Sequence, residues 1–380
     1  MSLNSIRKGS KKIYFSVKNH FSDHLLQWYS LHSRDLPWRR STDPYKIWLS
    51  EVMLQQTRVD TVIPYYHKFL ESFPTLRHLA QADQQAVLKC WEGLGYYSRG
   101  RNFHQAAKTI ITQNEGKIPS DYQSFIALKG VGPYTAAAVL SIAYGKKYAV
   151  VDGNVIRVIT RYLGIEDDIR TAQVKNLVQD FVDEKIPTDR PGDFNQSLME
   201  LGAIVCKPNS PTCGTCPLSP HCVAFNSART DVIPYKSKAK KVPHYHIGVG
   251  LIVNQKNELL IALRPNDGML GGLWEFPGGK NELSESLKQT VSRELNEELG
   301  VDVKVYEKFK MIKHAYSHFK ITLHAYWCTI ERGDPQPNSS QDLKWVTLSE
   351  IDNFPFPKAN KVLINDLLSL NNNDLNRFLR

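Results

Sequence analysis

Four of the chain's six cysteines fall within seventeen residues, as Cys206-x6-Cys213-x2-Cys216-x5-Cys222. Soft thiolates gathered in one loop suit a metal centre. A zinc ribbon shows two separated Cys-x2-Cys pairs, whereas here a single pair is flanked by one Cys on each side. That favours a [4Fe–4S] cluster, with zinc and unligated thiols as the alternatives. Two carboxylates stand out next. Glu51 lies in Trp48-Leu49-Ser50-Glu51-Val52-Met53-Leu54, an acid amid apolar neighbours on a predicted helix. Asp152 follows the apolar pair Val150-Val151 and opens a new helical period. Carboxylates of this kind can do general acid–base work. Taken singly, each has a plainer explanation, Glu51 as a solvated helix residue and Asp152 as an N-cap. A third constellation runs from Ser120 and Gln123, at capping-box spacing, to Lys129-Gly130-Val131-Gly132-Pro133-Tyr134. Gly130 and Gly132 permit a tight turn and Pro133 suits a first helical position, which predicts a helix–hairpin–helix. Its turn N–H groups would hold a phosphate without reading bases, and a plain helical hairpin is the alternative.

These residues need elements to position them. The 380 residues fit two or three domains with real cores. From about 22 to 225, apolar residues recur at three- and four-residue spacing between short Gly, Pro and Asn breaks, predicting an all-α half. One such helix starts at Pro44, with Ile47, Val52, Val59, Val62 and Ile63 on roughly one face. Residues 229–246 are rich in Lys and Pro and read as an exposed tether. Beyond them the period changes. Ile247–Val253 and Leu259–Leu263 predict a hairpin, 286–299 a helix and Ile321–Cys328 a further strand, so the C-terminal half is α+β. The expected division is therefore 1–228, 229–246 and 247–380. Cys90 and Cys328 read as small core residues.

Charge separates the halves. The net charge is +10, of which residues 1–230 carry +8, 231–246 +3 and 247–380 −1. A basic helical half favours a polyanionic partner. No apolar run has the length of a membrane span, and the basic N-terminus (Arg7, Lys8, Lys11, Lys12) precedes too short an apolar patch for a secretory signal. It reads as a DNA-facing arm or a disordered tail. Scarce cysteine, clustered rather than spread, predicts an intracellular protein, cytoplasmic or nucleoid-bound in a bacterium.

The order WLSEVMLQQT, LKGVGPYTAAAV, VDGNVIRV, FNQSLMELGAIVC and the cysteine loop resembles the helix–hairpin–helix DNA glycosylase superfamily. Within it the chain is most similar to the MutY-type adenine DNA glycosylases, which remove adenine mispaired with 8-oxoguanine. The resemblance covers about 20–225 closely, and the C-terminal half fits that family's MutT-like domain. It implies the [4Fe–4S] cluster on Cys206, Cys213, Cys216 and Cys222, and duplex DNA carrying A:8-oxoguanine or A:G as partner of a monomer. Glu51 is then the general acid, protonating adenine at N7 with a pKa raised by burial, and Asp152 the ionised stabiliser of the sugar cation. Tyr134 stands where bifunctional relatives carry a Schiff-base lysine, which implies a monofunctional enzyme. By the same resemblance Asn154 positions a water or Asp152, and Gln196 contacts the adenine edge. Arg34, Trp38, Arg39, Leu54, Gln56, Tyr96, Gly130 and Gly132 line the DNA side, with Trp38 alternatively core and Tyr96 wedged between bases.

In the C-terminal half, Gly279-x5-Glu285-x7-Arg293-Glu294-Leu295-Asn296-Glu297-Glu298-Leu299-Gly300-Val301 meets every specified position of the Nudix box. That implies Mg²⁺ at Glu294, Glu297 and Glu298 beside a diphosphate. MutY-type domains are better known for a degenerate box and for reading 8-oxoguanine, here through Tyr316, Ser317 and His318, with a polar turn as the plain alternative. A nucleotide-pyrophosphate hydrolase, a related mismatch glycosylase or lyase, and a non-enzymatic iron–sulfur DNA-binding protein are the competing readings.

Overall fold

The computed structural model describes residues 20–237, 242–282, 284–316 and 318–370; the basic N-terminal residues Arg7 to Lys12 and Ser317 lie outside them. Helices come first: α1 (His20–His32), α2 (Pro44–Leu54), α3 (Val59–Ser72), α4 (Leu76–Gln81), α5 (Gln84–Trp91), α6 (Ser98–Gln113), α7 (Tyr122–Ile126), α8 (Pro133–Tyr144), α9 (Gly153–Leu163), α10 (Ala172–Lys185), α11 (Pro191–Ile204) and α12 (Val223–Asn226). Then follow β1 (His244–Ile252), β2 (Leu259–Leu263), β3 (Trp274–Glu275), β4 (Gly278–Lys280), α13 (Leu287–Leu299), β5 (Asp302–Ala315), β6 (Lys320–Arg332), β7 (Asp342–Val346) and α14 (Lys358–Leu367). No helix among the described residues is long and apolar enough to cross a membrane.

The chain packs as two compact units, residues 20–66 with 108–237, and 67–107 with 242–370. In the first, α1, α9 and α11 close on a core that includes Phe21, Leu25, Tyr162, Phe181, Phe194 and Leu198. The alanines of α8 let it lie against both α2 and α11. Asp43 caps α2, accepting from Tyr45 N at 2.9 Å with Pro44 in the first turn. The hairpin between α7 and α8 turns at Gly130, whose φ of 79° favours glycine, and Pro133 starts α8. Its first cap is Asp121, which accepts from Ser124 N, rather than the expected Ser120. An aspartate one residue later offers an ionised acceptor at the same helix start.

In the second unit a four-stranded sheet, β4-β1-β6-β5, and a three-stranded sheet, β3-β2-β7, share an apolar core. The expected hairpin ladder between β1 and β2 does not form: the strands belong to different sheets and meet at a bridge between Val253 and Leu259, closed by a turn in which Asn254 N donates to the Glu258 carbonyl at 3.1 Å. β1 pairs instead in parallel with β6. Helix α13 has a capping box of Ser286 and Gln289 and ends at Gly300, φ 71°. Residues 67–107 join this unit through polar contacts. Trp274 Nε1 donates to Gln85 Oε1 at 3.0 Å, Phe356 N to Glu92 Oε1 at 2.9 Å, and Arg101 to the Asn266 and Gly271 carbonyls.

Three further expectations change. The run from Pro44 to Ile63 is broken at Gln56, where φ is 57°, into α2 and α3. The tether is partly pinned: Ile233 is buried, its carbonyl accepts from Arg161 Nε at 2.7 Å, and 244–246 already belong to β1. Cys328 is core, but Cys90 is only half-buried, 3.5 Å from Ser72 Oγ.

Candidate active site

Helix α2 carries Glu51 into a cavity of about 160 Å³ that Tyr134, Asp152, Asn154 and Gln196 also line, so five of the residues expected at a reaction centre meet in one pocket. Glu51 is 5% exposed. Burial pushes its carboxyl up to about 7, helped by the charge of Asp152 and opposed by Tyr134 and Arg39. The Tyr134 hydroxyl donates to Glu51 Oε2 at 2.8 Å, which fixes the carboxyl rotamer and leaves Oε1 for another partner. Such a carboxylic acid holds a proton near neutrality and can give it up.

Asp152 is an N-cap and a pocket residue at once. Its Oδ1 accepts from Val155 N at 2.7 Å and its Oδ2 from Asn154 Nδ2 at 2.9 Å. Burial raises its carboxyl, against these donors and the charge of Arg157. Asn154 is itself held: its Oδ1 accepts from Arg157 Nη2 at 2.7 Å, and Arg157 also donates to the carbonyls of Gly202 and Cys206. At Gly202 a Cβ would lie 2.6 Å from Asn154 Cβ, so α11 approaches α9 only because that residue is glycine.

Arg34 and Arg39 line the pocket but are engaged. Arg34 forms a fork on Glu200, Nε to Oε1 and Nη2 to Oε2 at 2.8 Å each, and Arg39 Nη2 reaches Oε2 at 2.9 Å. Glu200 is a site residue that the sequence reading missed. The available signal was an acid amid the apolar neighbours Leu198, Met199 and Leu201, the same signal that drew attention to Glu51. Trp38 is core, 6% exposed and edge-on to Tyr66, and shows the pocket only a wall. Leu54 sits half-buried in the pocket lining, and Gln56 is exposed just beyond α2.

Cys206, Cys213, Cys216 and Cys222 line one small cavity with Arg161, Val205 and Phe225. Burial, reinforced by the other thiols, pushes Cys216 up to about 12. Arg161 Nη1 donates to Cys206 Sγ at 3.4 Å. The four thiols, each half-buried, thus share the lining of one cavity. Among the described residues no three His, Cys, Asp or Glu side chains converge on a single ion.

The Nudix-box glutamates are not grouped around one point. Arg293 pairs with Glu285 at 2.8 Å, Glu294 at 3.1 Å and Glu297 at 3.2 Å. Glu298 accepts from Gly278 N at 2.9 Å, and burial, aided by the charges of Glu275 and Glu294, pushes it up to about 7. Among the described residues the expected Mg²⁺ trio of Glu294, Glu297 and Glu298 is not arranged as a ready cation site, and two of the three, Glu294 and Glu297, are paired with Arg293. Nearby, Tyr316 stacks on Phe319 with ring centroids 4.7 Å apart, and His318 is exposed. Both line a cavity of about 420 Å³ together with His314, Leu270 and Tyr96, which has a φ of 47°.

Residues 49–184 match the HhH-GPD superfamily of base excision DNA repair proteins, and 248–366 match the NUDIX domain. The human adenine DNA glycosylase is 34% identical over 385 residues, covering 87% of this chain and 70% of its own. That of Buchnera aphidicola from Schizaphis graminum is 30% identical, covering 89% and 96%. Among solved structures, a thermostable thymine-DNA glycosylase is 29% identical with a TM-score of 0.51, covering 56% of this chain and 98% of its own.

Proposed function

Because the chain belongs to the adenine DNA glycosylase family, we propose that it is a base-excision-repair enzyme that hydrolyses the N-glycosidic bond of adenine mispaired with 8-oxoguanine or guanine in duplex DNA. The observation that carries this reading is the pocket itself, which holds a buried acid raised to about 7, a helix-capping carboxylate and no lysine among its lining residues. An adenine extruded from the stack meets Glu51, which gives its proton to N7. The bond breaks with its electron pair going to the base, leaving an oxocarbenium-like sugar. Asp152, oriented by Val155 N and Asn154, stabilises that cation until water adds. Gln196 contacts the adenine edge, and Tyr134, without an amine, forms no Schiff base, so the enzyme is monofunctional. Gly130 and Gly132 offer turn N–H groups to a phosphate, and Arg34, Arg39, Leu54 and Gln56 border the path of the extruded strand.

The deciding assay uses duplexes with A opposite 8-oxoguanine, A opposite G, T opposite G and A opposite T, scored for strand breaks with and without alkali. Alkali-dependent breaks at the first two are expected; breaks without alkali would establish a lyase instead.

The cysteine loop holds a [4Fe–4S] cluster on Cys206, Cys213, Cys216 and Cys222. The purified protein is expected to be brown, with broad absorbance near about 400 nm and about four irons per chain. Stoichiometric zinc without iron would overturn this.

Residues 247–380 read the lesion rather than hydrolyse free nucleotides. The support is the cavity that Tyr96 shares with Tyr316 and His318, and the pairing of the box carboxylates with Arg293. Substituting His318 by Ala is expected to lower the preference for A:8-oxoguanine over A:G by about tenfold while leaving A:G excision near wild type. An unchanged preference would assign His318 to a plain turn. Point substitution is the right tool, since deleting 247–380 would strip the partners of 67–107. The functional division remains 1–228, 229–246 and 247–380, in an intracellular monomer.

A further inference from the structure

An ion cluster built on the buried Glu200 takes no part in the proton transfer itself. Glu200, 1% exposed on α11, accepts Arg34 N, Nε and Nη2 and Arg39 Nη2. Arg39 Nη1 in turn donates to the Arg34 carbonyl at 3.0 Å, so the three residues lock one another. Arg39 Nε is buried without a partner, a donor left for a group entering the pocket. Burying a carboxylate is costly unless charged donors satisfy it, and here two arginines do. Burial alone would raise Glu200, yet those bonds bring it to about 2, so it is an anion throughout the working range. Tyr29 of α1 also faces it, and Asp60 of α3 acts on Arg34.

We propose that Glu200 is a positioning residue that fixes Arg34 and Arg39 beside the pocket and cancels one of their two charges next to the acid Glu51. This rests on the reading of Glu51 as the proton donor. Three groups from separate elements face Glu51: the Tyr134 hydroxyl, Asp152 and Arg39. With Glu200 in place the cluster carries one net positive charge. Without that carboxylate it carries two, and the added charge favours the ionised form of Glu51, the form that cannot protonate a base.

The test is the pH dependence of single-turnover excision on pre-bound A:8-oxoguanine duplex, which separates chemistry from DNA affinity. In the wild type the rate should fall as pH rises through the Glu51 titration. E200Q should move that midpoint down by about half to one pH unit, slowing excision roughly three- to tenfold above it. R34Q removes a positive charge instead and should move it up, and R34Q/E200Q should return it to the wild-type position. R34Q keeps the proposal testable even where E200Q folds poorly. An E200Q that loses thermal stability alone, with its midpoint unmoved, overturns the proposal, as does an unmoved R34Q. A wild type with no alkaline limb overturns the reading of Glu51 and this inference together; a limb that is present but insensitive to both variants overturns only the inference.

Discussion

Glu51→Gln binds an A:8-oxoguanine duplex yet excises adenine at least about 10²-fold more slowly than the wild type, the cost of removing a positioned acid. The amide still accepts from the Tyr134 hydroxyl, so the pocket keeps its shape and the lost proton is isolated as the cause. The same substitution has a thermodynamic signature. A carboxyl whose folded pKa is raised from 4.5 to about 7 binds more protons folded than unfolded between those values, so wild-type stability falls as pH rises through that window. Gln escapes the penalty. Denaturation at pH 8 should therefore show Glu51→Gln more stable by up to about 3 kcal/mol, with the difference vanishing near pH 4. An excision rate within a few-fold of wild type would remove Glu51 from the reaction, whatever the stability curves show.

The second large effect belongs to Asp152. Its isostere Asn can still accept from Val155 N, so the start of α9 should hold within about 1 kcal/mol. What disappears is the negative charge beside the sugar cation, together with the bond accepted from Asn154 Nδ2, a loss of at least about 10²-fold in the chemical step. Asp152→Asn should accordingly melt like the wild type and fail in single-turnover excision. Normal turnover with lowered stability would make capping its whole role.

Glu51 and Asp152 drew attention in the sequence as an acid inside an apolar helix and an aspartate where a helix must begin, but each alone fitted a plain structural role, and only the resemblance to the family set them apart. The cysteine loop was legible because its four thiols lie close along the chain. Glu200 breaks the same pattern as Glu51, but its partners, Arg34 and Arg39, lie more than 160 residues away, and spacing alone does not pair residues so far apart. The sheets were read less well for a related reason. β1 and β2 look like a hairpin locally, yet β1 takes β6 as its partner, an arrangement set by the shared core. β5 was missed because bulges near Val305 and Lys308 interrupt the alternation that marks a strand. Arg293 was seen as part of a motif, whereas its role as the cation among Glu285, Glu294 and Glu297 needs the fold.

Residues 67–107 pack with 242–370, and this sets a timetable for synthesis. Gln85, Glu92 and Arg101 leave the ribosome long before Trp274, Phe356 and Asn266, residues they bond in the folded unit. At roughly 5–20 residues per second that wait is on the order of ten seconds or more. Throughout it the nascent chain displays an incomplete helical stretch in its middle, and a premature stop ahead of Asn266 leaves that stretch without all three of these partners for the life of the product. Such nonsense lesions would thus be read by the cell as misfolding early in the protein.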